Sequence, residues 1–461
     1  MKKPISYILI TAMLAISLCG CGTGGQVPGE ISPPVSELST GESSGPEEAQ
    51  VSEAPLSESP ADESSVPEEE IVVANLYGES SFLSDRVVHF DKENPAYGIQ
   101  YLDAWGEEDA SRVLMEVANG EGPDVLYLSR KDLEALHANE VLGEIGQLIS
   151  EETRNALLPG AVQMGTYGDQ LFAVPLSVYA RSLLTSREYW KGDSWTTADI
   201  LSVLEEHKEI EGLFLDISGA DEYYYNLYFM VGTDIKNSPF LKDGNSGFDS
   251  REFRNILTLI KDMTNKAVNN SNPMDRMLPL TEGKFLGIEY FLKDMKSYCD
   301  IYDKMGDNAN FVGYPTDMGS SHYITDNGML AVSRHGMEKE GVRALVNDLL
   351  GLESQKFINY SISVRADIPE SQLIYDEAMK SYIWLSPNNH GFLVPAKADG
   401  SSYLEEYVAF LKSAVPNAFD SDDIFEIVAE EADSYFTSGK DMEQVIDIIQ
   451  RRVQNYLDER K

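Results

Sequence analysis

From residue 71 onward the chain alternates strand and helix patterns, and this alternation constrains the fold more than any other feature. IVVANLY begins at Ile71 as a buried strand. Phe82, Leu83, Val87, Val88 and Phe90 space an amphipathic helix near Ser81–Asn94, and YGIQYL at Tyr97–Leu102 is a second strand. Val113, Leu114 and Val117 share one face of a helix over Glu107–Asn119. Gly122-Pro123-Asp124-Val125-Leu126-Tyr127-Leu128 is a turn and a third strand, and another helix starts at Lys131–Leu136. Parallel strands need long crossovers, so strand, helix, strand, helix, strand predicts an α/β body. The 461 residues suffice for two to four domains, and 42% apolar residues are enough for a sizeable core.

Charge and motif content exclude several functions. There are 77 acidic against 36 basic side chains, a formal net charge of −41. Such a chain repels phosphate backbones and anionic headgroups, so no nucleic-acid partner is expected. Cys19, Cys21 and Cys299 are the whole cysteine complement, too few for a disulfide framework, a Cys-rich zinc module or an iron–sulfur site. Cys299 reads as a buried, inert thiol. The histidines form no HExxH pair, and GxxxxGK[ST] is missing. No metal and no cofactor is expected. The string Asp243-Gly244-Asn245-Ser246-Gly247-Phe248-Asp249 alternates oxygen ligands. It lacks the glycine and the closing glutamate of an EF-hand loop, and reads as a turn feeding a helix capped by Asp249 and Glu252. Thr196 with Asp199 is a second capping box.

Residues 1–20 read as a leader. Lys2 and Lys3 precede an apolar run from Ile5 to Leu18, too short for a spanning helix, which takes roughly 20 residues. Leu18-Cys19-Gly20-Cys21 resembles a bacterial lipobox, and the resemblance implies lipidation of Cys21. Residues 22–70 hold 10 Ser, 7 Pro, 6 Gly and 12 acids, with no Lys, Arg or aromatic residue. With so little apolar surface to bury, residues 21–70 are expected to be a disordered tether, spanning about 40 Å as a flexible coil. Residues 71–461 keep 65 acids against 34 bases, a net −31.

The order of segments in this body resembles the family 1 extracellular solute-binding proteins of ABC importers, in the maltose-binding-protein-like carbohydrate group. Six landmarks carry the resemblance: GEGPDVLYL, Tyr167–Pro175 (YGDQLFAVP), Ser194–Leu201 (SWTTADIL), Gly247–Glu252 (GFDSRE), Gly283–Ile288 (GKFLGI) and Phe311–Pro315 (FVGYP). The strand Asp326–Ser333, the helix Gly341–Leu350 and the C-terminal helix Asp441–Leu457 complete the order. Leu184-Thr185-Ser186, where the family commonly has Tyr-Asn, and Phe285 with Glu289 in the Gly-Lys strand depart from it. The resemblance implies a two-lobed periplasmic-binding-protein-like α/β fold with a ligand cleft and several hinge crossings. The expected division is 71–176 for lobe 1, 177–323 for lobe 2, 324–366 for a return to lobe 1, and 367–461 for a helical C-terminal part of lobe 2.

It also implies a function. The expectation is a monomeric binding lipoprotein, not an enzyme, anchored to the outer face of the bacterial cytoplasmic membrane only through its lipid. It would close on a mono- or oligosaccharide and pass it to the ABC permease subunits. A non-sugar solute, a sensing role and a glycan hydrolase are the alternatives. Ligands of such folds sit at the carboxyl ends of strands, where aromatic faces pack on sugar rings and carboxylates or amides accept hydroxyl hydrogen bonds. The candidates in the first lobe are Tyr77, Glu79, Trp105, Ser129 and Arg130, the last able to clamp an acidic sugar bidentately. In the second lobe and at the crossings they are Tyr179, Glu222, Tyr223, Tyr224, Tyr225, Asn226, Tyr290, Phe291, His322 and Tyr323. Trp195 and Trp384 read as core.

Overall fold

The computed structural model describes residues 67–78, 80–215, 222–242, 244–264, 278–316, 319–385, 391–397, 399–417 and 423–459. The leader, Cys21, the tether to residue 66 and Glu79 lie outside the described residues. Ser64–Lys461 forms one compact unit.

The first lobe opens with β1 (Glu69–Asn75), β2 (Tyr97–Asp103) and β3 (Val125–Leu128), alternating with α1 (Ser81–Glu93), α2 (Glu107–Ala118) and α3 (Arg130–Ala138). Strand β1 pairs in parallel with both β2 and β3. It begins before Ile71, because Glu69 and Glu70 are in register with Tyr97 and Gly98. Ser80 and Ser129 accept hydrogen bonds from the first turns of α1 and α3 and fix where those helices start. After α4 (Pro159–Met164) comes β4 (Ala173–Pro175), and Leu176 alone separates it from β5 (Ser177–Ser186).

The second lobe is built around β5. Along the chain follow α5 (Thr197–Glu206), β6 (Gly212–Leu215), α6 (Glu222–Val231), α7 (Arg251–Thr264), β7 (Phe285–Leu292), α8 (Met295–Met305), β8 (Ala309–Phe311) and β9 (Tyr323–Asp326). Strands β7, β8 and β9 all pair antiparallel with β5. The Thr196–Asp199 capping box opens α5. For α7 the cap is Ser250, whose hydroxyl accepts from Phe253 N at 3.2 Å. The helix begins one residue later than an Asp249 cap would require.

The chain then returns. Asn327 and Gly328 link β9 to β10 (Met329–Val332), which joins the first sheet between β3 and β4. After α9 (Glu340–Leu349), β11 (Ile362–Ser363) pairs with the start of β5. The stretch after Gln372, expected to be helical, instead forms an antiparallel sheet of β12 (Leu373–Asp376), β13 (Ser381–Trp384) and β14 (Phe392–Val394). The reason is its period-two pattern: Trp384 and Val394 turn inward and are buried. The last elements are α10 (Leu404–Ser413), β15 (Val415–Pro416) beside β9, α11 (Asp423–Phe436) and α12 (Met442–Asp458).

Two hydrophobic clusters divide the interior. One runs from the first sheet beneath the crossings to Val178, Ala180, Leu184, Ile324, Tyr298, Tyr407 and Phe410. The other covers the opposite face of the second sheet with α5, α6, α7, α11 and α12, and includes Trp195 and Val445, Ile446, Ile449 and Val453 of the C-terminal helix. Cys299 is buried in the first. Burial lifts its thiol pKa to about 12, which leaves it protonated and inert.

Gly328 makes the β9–β10 crossing possible. Its φ is +84°, and a Cβ there would stand 2.4 Å from the Tyr127 ring. Gly328→Ala should therefore lower unfolding stability by about 1–3 kcal/mol, through the left-handed backbone and the overlap together. Denaturant midpoints at constant m-value check this.

Candidate functional site

The edge of the first sheet supplies a fixed aromatic corner. Asn75, fully buried at the end of β1, donates to Gly78 O at 2.6 Å and to Asp103 Oδ1 at 3.1 Å, and accepts from Tyr77 N at 3.2 Å. This ties down the loop that carries Tyr77. The Tyr77 ring, 42% exposed, meets Tyr127 edge-on at 5.7 Å. Tyr127 donates to Asn327 O in the β9–β10 crossing. Its phenol is held well above its ordinary pKa, first by burial and then by the neighbouring Tyr77, Asp326 and Tyr179. Tyr127 thus ties the first-lobe corner to the β9–β10 crossing. Trp105, just beyond β2, is half exposed.

Strand parity sorts the candidates of the second lobe. Arg181 pairs with Phe291 and Tyr323, Tyr179 with Thr325, and Glu289 with Leu183, so all of these share one face of the sheet. On that face the Tyr179 and Phe291 rings lie 4.9 Å apart, and the Arg181 guanidinium sits 5.6 Å from the Phe291 centroid. Arg181 Nη1 is 3.6 Å from Glu289 Oε1, which accepts the Tyr314 phenol proton at 2.5 Å. Burial pulls the Arg181 pKa down, but Glu289 and the surrounding phenols outweigh it and hold it above its ordinary value. Deeper on this face Tyr323 is core: it is buried and donates to Thr233 O at 3.0 Å.

Tyr290 and His322 lie on the opposite face. The sequence pattern ends the strand at Glu289, whereas β7 runs on to Leu292, so Tyr290 and Phe291 point to opposite sides. Tyr290 packs beside Phe311 at 6.2 Å, and burial raises its pKa to about 12. His322 Nδ1 lies 2.9 Å from Ser182 Oγ, and its ring is 4.4 Å from Phe410.

Helix α6 disperses the aromatic trio. Tyr223 stacks on Phe436 at 4.9 Å, and Tyr224 donates to Glu426 Oε1 at 2.9 Å. Tyr225 is the member whose phenol contributes to the field at Arg181. Asn226 is buried and clamps β6 through Phe214 N at 3.1 Å and Phe214 O at 3.3 Å, a structural use of its amide. Glu222 opens the helix. Ser129 caps α3, and Arg130 donates to Asn417 O at 2.8 Å, just past β15.

The structure thus brings Tyr77, Tyr179, Phe291 and Tyr225 toward one region and leaves Tyr223, Tyr224, Tyr290, His322 and Tyr323 elsewhere. Arg181, Glu289 and Tyr127 belong to that region and escape a search confined to strand ends. The signal for them is parity within SVYARSLLTS and FLGIEYFL. A small cavity between Tyr360, Trp384 and Phe392 lies behind β11, away from this region. Among the described residues no group of His, Cys, Asp and Glu is placed to hold a metal, and no helix is long and apolar enough to cross a membrane.

His322 yields a pH prediction. Burial lowers its pKa from 6.5 to about 4. The unfolded chain then binds a proton that the folded one refuses, so stability is whole above pH 6.5 and declines as pH falls toward 4. The decline reaches roughly 2–3 kcal/mol. His322→Gln should flatten this part of the profile, read from unfolding titrations at a series of pH values.

No protein-family model matches the chain, and no curated protein sequence does. Solved structures match its fold. The sugar-binding protein MalE of Xanthomonas citri aligns over 85% of this chain and 98% of its own, at a TM-score of 0.55 and 14% identity. An extracellular solute-binding protein family 1 member from Alicyclobacillus acidocaldarius covers 85% and 99%, at 0.52 and 13%. A Staphylococcus aureus extracellular solute-binding protein in complex with maltose covers 84% and 98%, at 0.51 and 13%. The fold of this chain is therefore the two-lobed α/β fold of the extracellular solute-binding proteins.

Proposed function

We propose that this chain is an extracytoplasmic receptor that closes its two lobes on a saccharide and hands it to an ABC permease, with no chemistry of its own. The observation that carries this reading is the aromatic set on β5 and its neighbours. Tyr179 and Phe291 form a tilted ring pair on the face shared with Arg181 and Glu289, and Tyr127 links it to the exposed ring of Tyr77. Flat rings beside charged hydrogen-bonding groups are what a pyranose needs: C–H faces for stacking and hydroxyls for donors and acceptors. The sugar-binding names of the matching structures support the same ligand class. In this reading β4–β5, β9–β10 and β11 are the hinges. Ligand bridging both lobes favours the closed state by its extra contacts there. Residues 22–70 tether the body to a lipid on Cys21, and the receptor works as a monomer.

A melting screen against mono- and oligosaccharides, with peptides and polyamines as counter-screen, tests the ligand class. A ligand at about 100 times its Kd should stabilise by about 2.7 kcal/mol. Stabilisation by the counter-screen alone would sink the saccharide reading. Phe291→Ala should weaken binding of the identified sugar by about 10- to 150-fold, the worth of roughly 1.5–3 kcal/mol of ring contact, and leave unliganded melting nearly unchanged. Tyr223→Ala, which removes a ring stacked in the helical layer, should lower melting first. Cys21→Ala should abolish lipid labelling and release the chain from the membrane fraction; persistent labelling speaks against the anchor.

A further inference from the structure

Two arginines, one from each lobe, hold donors that no group among the described residues takes up. The Arg181 side chain is 23% exposed, and its nearest carboxylate oxygen, Glu289 Oε1, is 3.6 Å away, beyond hydrogen-bonding distance and already engaged by Tyr314. Among the described residues its guanidinium makes no hydrogen bond, although Phe291 lies against it. Its nitrogens stay open to solvent, so its donors are available to an acceptor from outside the chain. Arg130 is the first residue of α3, where the helix dipole favours an acid over a cation. It has no carboxylate within 4.0 Å among the described residues, and one of its donors goes to the neutral carbonyl of Asn417.

The two sites are linked. Asn417 gives its carbonyl to Arg130 and its side-chain oxygen to the Tyr228 phenol at 3.0 Å. Tyr228 in turn contributes to the field at Arg181. In a body of net −31, whose arginines elsewhere commonly meet carboxylates, neither of these two cations holds a hydrogen-bonded anion among the described residues. The guanidinium fork matches a carboxylate bidentately, which a lone hydroxyl does not.

We propose that the ligand is an acidic saccharide whose carboxylate is taken between Arg181 and Arg130 while its ring packs on Phe291 and Tyr179. This deepens the saccharide reading and rests on it. Because the two arginines come from different lobes, the carboxylate itself draws the lobes together.

Titration calorimetry on the full chain tests this with two neutral probes, maltotriose and cellotriose, and two acidic ones, tri-galacturonate and tri-guluronate. At least one uronate should bind about tenfold or more tighter than either neutral sugar, with the advantage fading between about 50 and about 500 mM salt. Arg130→Gln and Arg181→Gln should each weaken uronate binding by about tenfold and neutral binding by less than about threefold. Arg181→Gln also strips Glu289 of its counter-ion, so its melting is measured alongside; Arg130→Gln breaks no ion pair and carries the test if the other variant misfolds. Neutral sugar bound as tightly as uronate, with Arg130→Gln inert, overturns this inference and leaves the saccharide receptor standing. Uronate bound equally by wild type and both variants also overturns it. No binding by any of the four overturns this inference, while the saccharide reading stands or falls by the melting screen.

Discussion

The ladder around β5 is the constraint on which the rest of the molecule depends. Ser177–Ser186 pairs along its length with β7 on one side and β9 on the other, and its two ends are extended by β8 and β11. Each backbone bond contributes only about 0.5–1.5 kcal/mol net, but unmet partners inside the sheet would cost more. The register is therefore strongly held. A slip of one residue would turn Arg181 and Tyr179 toward the first hydrophobic cluster and bring Ala180 and Ser182 to the cleft face. The same strand continues from β4 of the first sheet across Leu176 alone. One run of backbone thus sets both the lobe connection and the face that the candidate site presents.

Closure and rigidity meet at this strand. The first hydrophobic cluster passes under the crossings into the second lobe, so the two lobes share one packed layer. Buried polar contacts pin the crossings as well: Tyr127 holds Asn327, and Gln355 donates to Leu176 O at 3.2 Å. The proposed closure would be absorbed by the few residues at Leu176, Asn327–Gly328 and the ends of β11. Glu289 and Tyr314 form a fixed support on the second-lobe side, while Arg181 beside them keeps its donors. A site that is half locked and half unspent gives a ligand contacts it can make only in the bound state, which is what a population shift toward closure requires.

Much of the architecture was legible along the chain because it is a local matter. The period-3.6 and period-2 patterns, the Thr196 cap, the isolated Cys299 and the buried Trp195 follow from neighbours within a few residues. The order of strands and helices carried the resemblance to a two-lobed binding fold, which solved structures match at 13–14% identity. The segment after Gln372 resisted this reading. Its alternation spans only short strands, and pairing between residues such as Ile374 and Ile383 makes it a sheet.

The candidate site was less legible. Tyr223, Tyr224 and Tyr225 are equivalent in the sequence, yet contact with Phe436 and Glu426 takes the first two into the helical layer and leaves Tyr225 near Arg181. Tyr290 and Phe291 are adjacent, and only the continuation of β7 to Leu292 sends them to opposite faces. The meeting of Arg130 with Asn417 joins residues 287 positions apart. Apart from the segment after Gln372, the sequence by itself determined which segments become strands and helices, because those depend on propensity, capping and periodicity within a turn or two. The tertiary structure alone decided which side chains face one another across the cleft, because that depends on strand register and parity set by pairings between distant parts of the chain.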